Sequence, residues 1–171
     1  MTDAVIENFK PKPELQTALK RLAEGPKEVM KLPPDLIIQL HDNYIKEYGG
    51  EYGIRDLNLF ESVCTAPYQE YFGEVLYPTV FDKAAKYITD FANYQIFVDG
   101  NKRTGLVVAE VFLEFNGYTM NLTPEQYYNL TMDIAEHKID ETKIADFIKE
   151  NALFYDGYSL GEEHEEYEYD I

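Results

Sequence analysis

Residues 95–105, QIFVDGNKRTG, lie between two segments of helical periodicity, and their reading organises the rest of the chain. Before them, TVFDKAAKYITDFANY sets Val80, Phe81, Ala84, Ala85, Ile88, Phe91 and Ala92 on one face behind a Thr79 cap. That spacing predicts a helix to about Tyr94, with its apolar character ending near Phe97. After them, KRTGLVVAEVFLEFNGY is apolar almost all round from Leu106 to Phe115 apart from Glu110 and Glu114, as in a helix at the centre of a bundle. Between the two stands a turn with Asp99 and Gly100, from which Asn101 leads into the second helix. A turn of this composition is suited to an anion. Gly100 lets the backbone reverse without a side chain in the way, the first amides of the new helix have no partner within it, and the helix dipole favours negative charge there. Lys102 and Arg103 add cationic donors, and Asp99 offers a hard oxygen for a magnesium ion bridging phosphates. The same letters also spell an ordinary turn followed by a solvated cationic pair, so spacing alone leaves both readings open.

Working outward, PDLIIQLHDNYIKEYGG opens with Pro34, repeats Leu36, Ile37, Leu40, Tyr44, Ile45 and Tyr48 at helical spacing, and stops at Gly49 and Gly50. A further helix is expected from Asp56 to about Thr65, with Leu57, Phe60, Val63 and Cys64 on one face. PYQEYFGEVLYPT breaks the period and reads as an irregular loop or short hairpin that displays aromatic side chains. TPEQYYNLTMDIAEHK and ETKIADFIKEN supply two more helices, the first with a Thr cap and Pro at its first position. Residues 1–33, punctuated by four prolines around ELQTALKRLAEG, read as a short helical appendage; 34–155 form the domain; 156–171, ending GEEHEEYEYDI, read as a mobile acidic tail. No internal repeat and no succession of strands stands out, so the fold class is all-α, a helical bundle.

Composition narrows the function. The chain has 171 residues, enough for one core, and a single cysteine, Cys64, in an apolar stretch, which excludes a disulfide framework and suggests a buried structural thiol. Nothing approaches the ~20 apolar residues of a membrane span, and the start MTDAVIENFKPKPEL lacks the pattern of a signal peptide, so a cytoplasmic location and no membrane partner are expected. A formal charge of −17 argues against general binding to nucleic acid, which draws its affinity from counterions released onto Lys and Arg. The acidic surface serves solubility or docks on a basic partner.

The turn and its surroundings resemble the Fic/Doc family, whose motif runs His-x-Phe-x-Asp/Asn-Gly/Ala-Asn, followed by Lys-Arg-Thr in the death-on-curing branch. Phe97, Asp99, Gly100, Asn101, Lys102, Arg103 and Thr104 match. LIIQLHDNYIKEYGG is similar to the opening helix of death-on-curing toxins and FLEFNGY to the helix after the motif, so the resemblance spans residues 36–151. It implies a Fic/Doc-type bundle with a flap and nucleotide binding through Gly100, Asn101, Lys102, Arg103 and Thr104. It also implies Asp99 as the magnesium ligand and Mg2+ with ATP or another nucleotide as cofactors. The flap at 67–79 would receive a protein target such as a translation factor, and an antitoxin partner is implied as well. His41, outside the motif, is expected to be structural.

The match fails at one position. Where the family carries its histidine, this chain has Gln95. A glutamine amide has no titratable site near neutral pH, and loss of general-base help costs about 10²–10⁴ in rate. Gln95 and Asn101 are therefore the candidate catalytic positions of a transferase with impaired chemistry, Gln95 being either a natural loss or an introduced silencing change. Leu106 stands where AMP-transferring relatives carry a second arginine, which points away from ordinary AMP transfer. RLAEG superficially resembles their inhibitory segment, but Lys20 replaces its Ser or Thr, so Glu24 and Gly25 read as a helix end. The alternative to a toxin-type transferase of phosphate or AMP is a non-catalytic acidic binding protein, of a phage or mobile-element anti-defence kind, that uses the fold as a scaffold.

Overall fold

The computed structural model describes residues 28–154. The helical appendage and the acidic tail expected from the sequence lie outside the described residues, so that division of the chain is an expectation only. Among the described residues six α-helices carry the fold: α1 Pro34–Tyr48, α2 Leu57–Thr65, α3 Val80–Asn93, α4 Asn101–Phe115, α5 Pro124–Ala135 and α6 Glu141–Asn151. Two small antiparallel ladders accompany them, β1 Glu70–Tyr71 with β2 Glu74–Val75, and β3 Tyr118–Met120 with β4 Ala152–Phe154. The expected all-α bundle with a hairpin flap is what the structure shows.

Local chemistry sets the helix ends. Thr79 accepts from the Asp82 amide while the Asp82 carboxylate takes the Thr79 amide, a reciprocal cap that starts α3. Thr123 and Gln126 repeat it at α5, and Asp56 and Asp140 each cap their helix through one backbone amide. α1 opens on Pro34 and ends at Gly49, whose φ of 84° no β-carbon has to share. α4 has no side-chain cap at all; it starts from Gly100, in the left-handed region at φ 73°.

α3 and α4 form the central pair, with α1 and α2 on one side and α6 against α3. Their axes approach closely at Gly105, where an added β-carbon would lie 2.9 Å from Phe91 Cβ and 3.2 Å from the Ile88 carbonyl. Val108, Ala109, Phe112 and Leu113 of α4 are fully buried, as expected of the central helix. On α3 the expected inward face is shifted. Ala84, Ala85, Ile88 and Phe91 are buried, Val80, Phe81 and Ala92 only partly, and Lys83, Tyr87 and Asp90 join the interior.

Two expectations need correction. Helix α3 ends at Asn93, close to the expected Tyr94, but the apolar run that follows it to Phe97 is not helical: residues 94–100 are loop. Ile96 and Phe97 are nonetheless fully buried, because residues 96–98 lie against 53–55 as a bridge-like ladder, with Arg55 N–H donating to the Ile96 carbonyl at 2.7 Å and Val98 N–H to the Gly53 carbonyl at 2.9 Å. Nor is the chain without a long-range strand pair. Residues 118–120 pair with 152–154 and close the far end of the bundle.

Candidate functional site

Phe97 anchors the site. Its ring stacks on His41 from α1 at 3.8 Å between centroids and 8° between planes, lies parallel to Phe91 of α3 at 5.9 Å, and meets Phe60 of α2 edge-on. Three helices thereby fix one aromatic residue of the loop, and the residues after it inherit its position. Asn101 then locks the turn. Its Oδ1 accepts from the Phe97 amide at 2.7 Å and its Nδ2 donates to the Phe97 carbonyl at 2.9 Å, so one side chain satisfies both backbone groups of a buried residue. From below, His41 Nε2 donates to the Asp99 carbonyl at 3.1 Å, and the Thr104 hydroxyl donates to the Gly100 carbonyl at 3.0 Å. The structural role expected for His41 is the one found: the ring is fully buried beneath the turn.

Above this base opens a cleft of about 580 Å³ lined by residues of α1, the 94–100 loop and the start of α4. Gln95, Asp99, Gly100, Asn101, Lys102 and Arg103 all contribute to its wall, so the structure brings together every candidate residue read from the sequence except Thr104. Thr104 departs from the nucleotide-contacting role implied for it, being fully buried with its hydroxyl spent on Gly100. Lys102 lies on the wall with its ammonium on the Ala135 carbonyl at 3.1 Å, where it caps the C-terminus of α5. Arg103 is exposed; it donates to the Tyr44 hydroxyl at 3.1 Å and stands over the Tyr44 ring. The amides of residues 101–103 have no partner within the helix, so the dipole end of α4 and Arg103 face the same space.

The donor set suits a magnesium-bound phosphate. Asp99 is an exposed carboxylate on the cleft wall; one oxygen accepts from the Gly100 amide at 2.6 Å. The other needs the space that Gly50 leaves, since a β-carbon there would lie 2.7 Å from Asp99 Oδ2. Gly50 thus does more than end α1. Among the described residues no group of three or more His, Cys, Asp or Glu is arranged to hold a metal, and a magnesium ion carried by phosphate needs only one or two carboxylates.

Comparison with known proteins gives this geometry its place. A family model described as Fic/DOC family matches residues 31–113. The chain is 32% identical over 100 residues to a protein named Toxin Doc from Mycolicibacterium smegmatis, covering 57% of this chain and 77% of that one. It is also 32% identical over 118 residues to the protein kinase doc of Escherichia phage P1, covering 69% of this chain and 92% of the relative.

The chain belongs to the Fic/DOC family.

Both relatives lie on its death-on-curing side. In this Fic/DOC chain Gln95 is exposed on the cleft wall, and its side chain has a partner that the sequence did not reveal. Arg55, just before α2, donates from Nη1 to Gln95 Oε1 at 3.0 Å and reaches the Val98 carbonyl from Nη2 at 3.4 Å. Arg55 is far from the motif in sequence, and only the 53–55 to 96–98 ladder brings it here. Tyr44 was likewise legible as a helix residue and Gly50 as a helix stop, but neither as part of the cleft.

The flap rises between α2 and α3. A 3-10 turn, Ala66–Tyr68, leads into the hairpin, whose tip holds Tyr71 and Phe72, the latter 90% exposed. Its base is fixed: buried Lys83 donates to the carbonyls of Pro67, at 3.0 Å, and Tyr77. Burial holds the Lys83 ammonium below the usual lysine range. Cys64 is buried at the end of α2 as expected, and burial pushes its thiol up to about 11.

Proposed function

We propose that this Fic/DOC protein binds a magnesium–nucleoside triphosphate on the α4 turn and is built to pass a phosphate or nucleotidyl group to a hydroxyl of a protein laid along the flap, with the transfer slowed by Gln95. The observation that carries this reading is the α4 turn itself, where Phe97, Asn101 and His41 hold open amides, the Asp99 carboxylate and Arg103 around one cleft. Phosphoryl transfer depends chiefly on positioning and neutralisation of charge, and this arrangement can supply both. Magnesium, when bound, would draw the phosphates to Asp99 and offset their charge. Arg103 and the open amides would orient them.

What is missing is a proton acceptor. The Gln95 amide takes no proton near neutral pH, so an attacking hydroxyl must lose its proton to solvent. The name Toxin Doc of one relative and protein kinase doc of the other favour a toxin-type phosphotransfer ancestry, to which an antitoxin partner would belong. A cytoplasmic setting would fit that reading; no helix among the described residues is long and apolar enough to cross a membrane. Calorimetric titration of magnesium–ATP into the wild type and into Asp99→Ala and Arg103→Ala tests the proposal. Binding to the wild type that weakens about tenfold or more in each variant supports it. No binding to the wild type would leave the acidic scaffold reading, in which the flap aromatics engage another protein without a nucleotide.

A further inference from the structure

Both arginines among the described residues stand at this cleft: Arg103 lines it, and Arg55 backs it through bonds to Gln95 and Val98. Neither has a carboxylate within ion-pair distance among the described residues. In a chain with 32 Asp and Glu against 15 Lys and Arg, such partners are abundant. Among the described residues Asp99 is the only carboxylate on the cleft wall, which also carries Lys102 and Arg103, while Arg55 bonds to the wall residue Gln95.

The orientation of Gln95 follows from its partner. A guanidinium has only donors, so it must face the amide oxygen. The open end of Gln95 is then its NH2, and no acceptor among the described residues takes those hydrogens. Arg55 keeps donors to spare, and its backbone is held by the ladder that positions Gln95, with Ile54 bridged to Phe97. A position that presents N–H groups backed by a fixed positive charge recognises an acceptor-rich anion.

We propose that Arg55 and Gln95 form a second phosphate-binding arm of the cleft, facing the α4 turn, and that the group it holds is a terminal phosphate. This rests on reading the α4 turn as an anion site. The phosphate can belong to a nucleotide or to a phosphorylated protein side chain, and the arm recognises the chemistry common to both: three acceptor oxygens and about two negative charges.

The test is calorimetric titration of magnesium–ATP, O-phospho-L-serine and, as a control, L-serine into the wild type, Arg55→Gln, Arg55→Lys and Gln95→Glu. Each variant is first checked for an unchanged unfolding midpoint. The arm predicts that any phosphate compound bound by the wild type binds about tenfold or more weakly to Arg55→Gln. Gln95→Glu loses as much, because the new carboxylate occupies Arg55, whereas Arg55→Lys keeps part of the affinity and serine does not bind. Phosphoserine binding that is lost in Arg55→Gln, with magnesium–ATP bound by no variant, upholds the arm and removes the nucleotide reading. Magnesium–ATP and phosphoserine bound equally by the wild type and Arg55→Gln would overturn the arm while leaving the α4 turn as an anion site. So would a wild type that binds neither compound, and that result would count against the turn as well.

Discussion

Gly100 and Phe72 each hold a left-handed backbone at a turn, one in the cleft and one at the tip of the flap, and they do so in opposite ways. Gly100, at φ 73°, opens α4 and has no side chain to strain. Phe72, at φ 50°, tips the flap and carries a large ring almost wholly into solvent. Around Gly100 the backbone is tied from three directions, by His41, Asn101 and Thr104. Around Phe72 there are two-residue strands and an edge contact with Tyr71. The α4 turn is thus held in one shape, as the proposed anion site requires, while the flap keeps a costly conformation that displays an aromatic surface.

The widest margin lies at the base of the flap. If the tip moves while the base stays fixed on Lys83, the Cys64 thiol, pushed up to about 11 and buried, reacts with a thiol reagent at pH 8 at least about 10²-fold more slowly in the native protein than in denaturant. Rapid native reaction would show that the base opens too. Next in size is Asn101→Ala, which leaves both backbone groups of Phe97 unpaired in the interior. Urea unfolding is expected to show a loss of roughly 2–4 kcal/mol, together with loss of magnesium–ATP binding. Gly100→Ala forces a β-carbon into the left-handed region and to 3.1 Å from Ile45 Cδ1. Its expected cost is about 1–2 kcal/mol, and an unaltered midpoint would break the picture of a rigid turn. Phe72→Gly runs the other way, relieving the same strain. Stability should hold or rise by up to about 1 kcal/mol, with magnesium–ATP affinity unchanged.

Much of this was legible in the sequence because the signals were local. Pro34 with Gly49 and Gly50 bounded α1, Thr79 capped α3, and Thr123 with Pro124 opened α5. Asp99, Gly100, Asn101 and Arg103 were found by the turn chemistry and family pattern that place them side by side. What escaped depends on contacts distant in sequence. Ile96 and Phe97 extend an apolar run past the end of α3 and look helical, yet they leave the helix to pair with residues 53–55. Arg55 has no sequence mark of function for the same reason. Lys83 and Asp90 are polar residues inside a packed helix face, made tolerable by the flap carbonyls in one case and by Lys86 at 2.8 Å in the other. Tyr118, Thr119 and Met120 form a strand only because residues 152–154 return to meet them.

The central claim is that this protein keeps the Fic/DOC cleft and lacks one proton acceptor. The direct measurement is label transfer from magnesium–ATP, labelled at either the α or the γ phosphate, to proteins of a bacterial lysate by the wild type and by Gln95→His. A histidine at 95 would sit beside the Arg55 guanidinium, which favours its neutral, proton-accepting form. The account predicts transfer by the histidine variant about 10²–10⁴-fold faster than by the wild type. Equal transfer by the two proteins would contradict it.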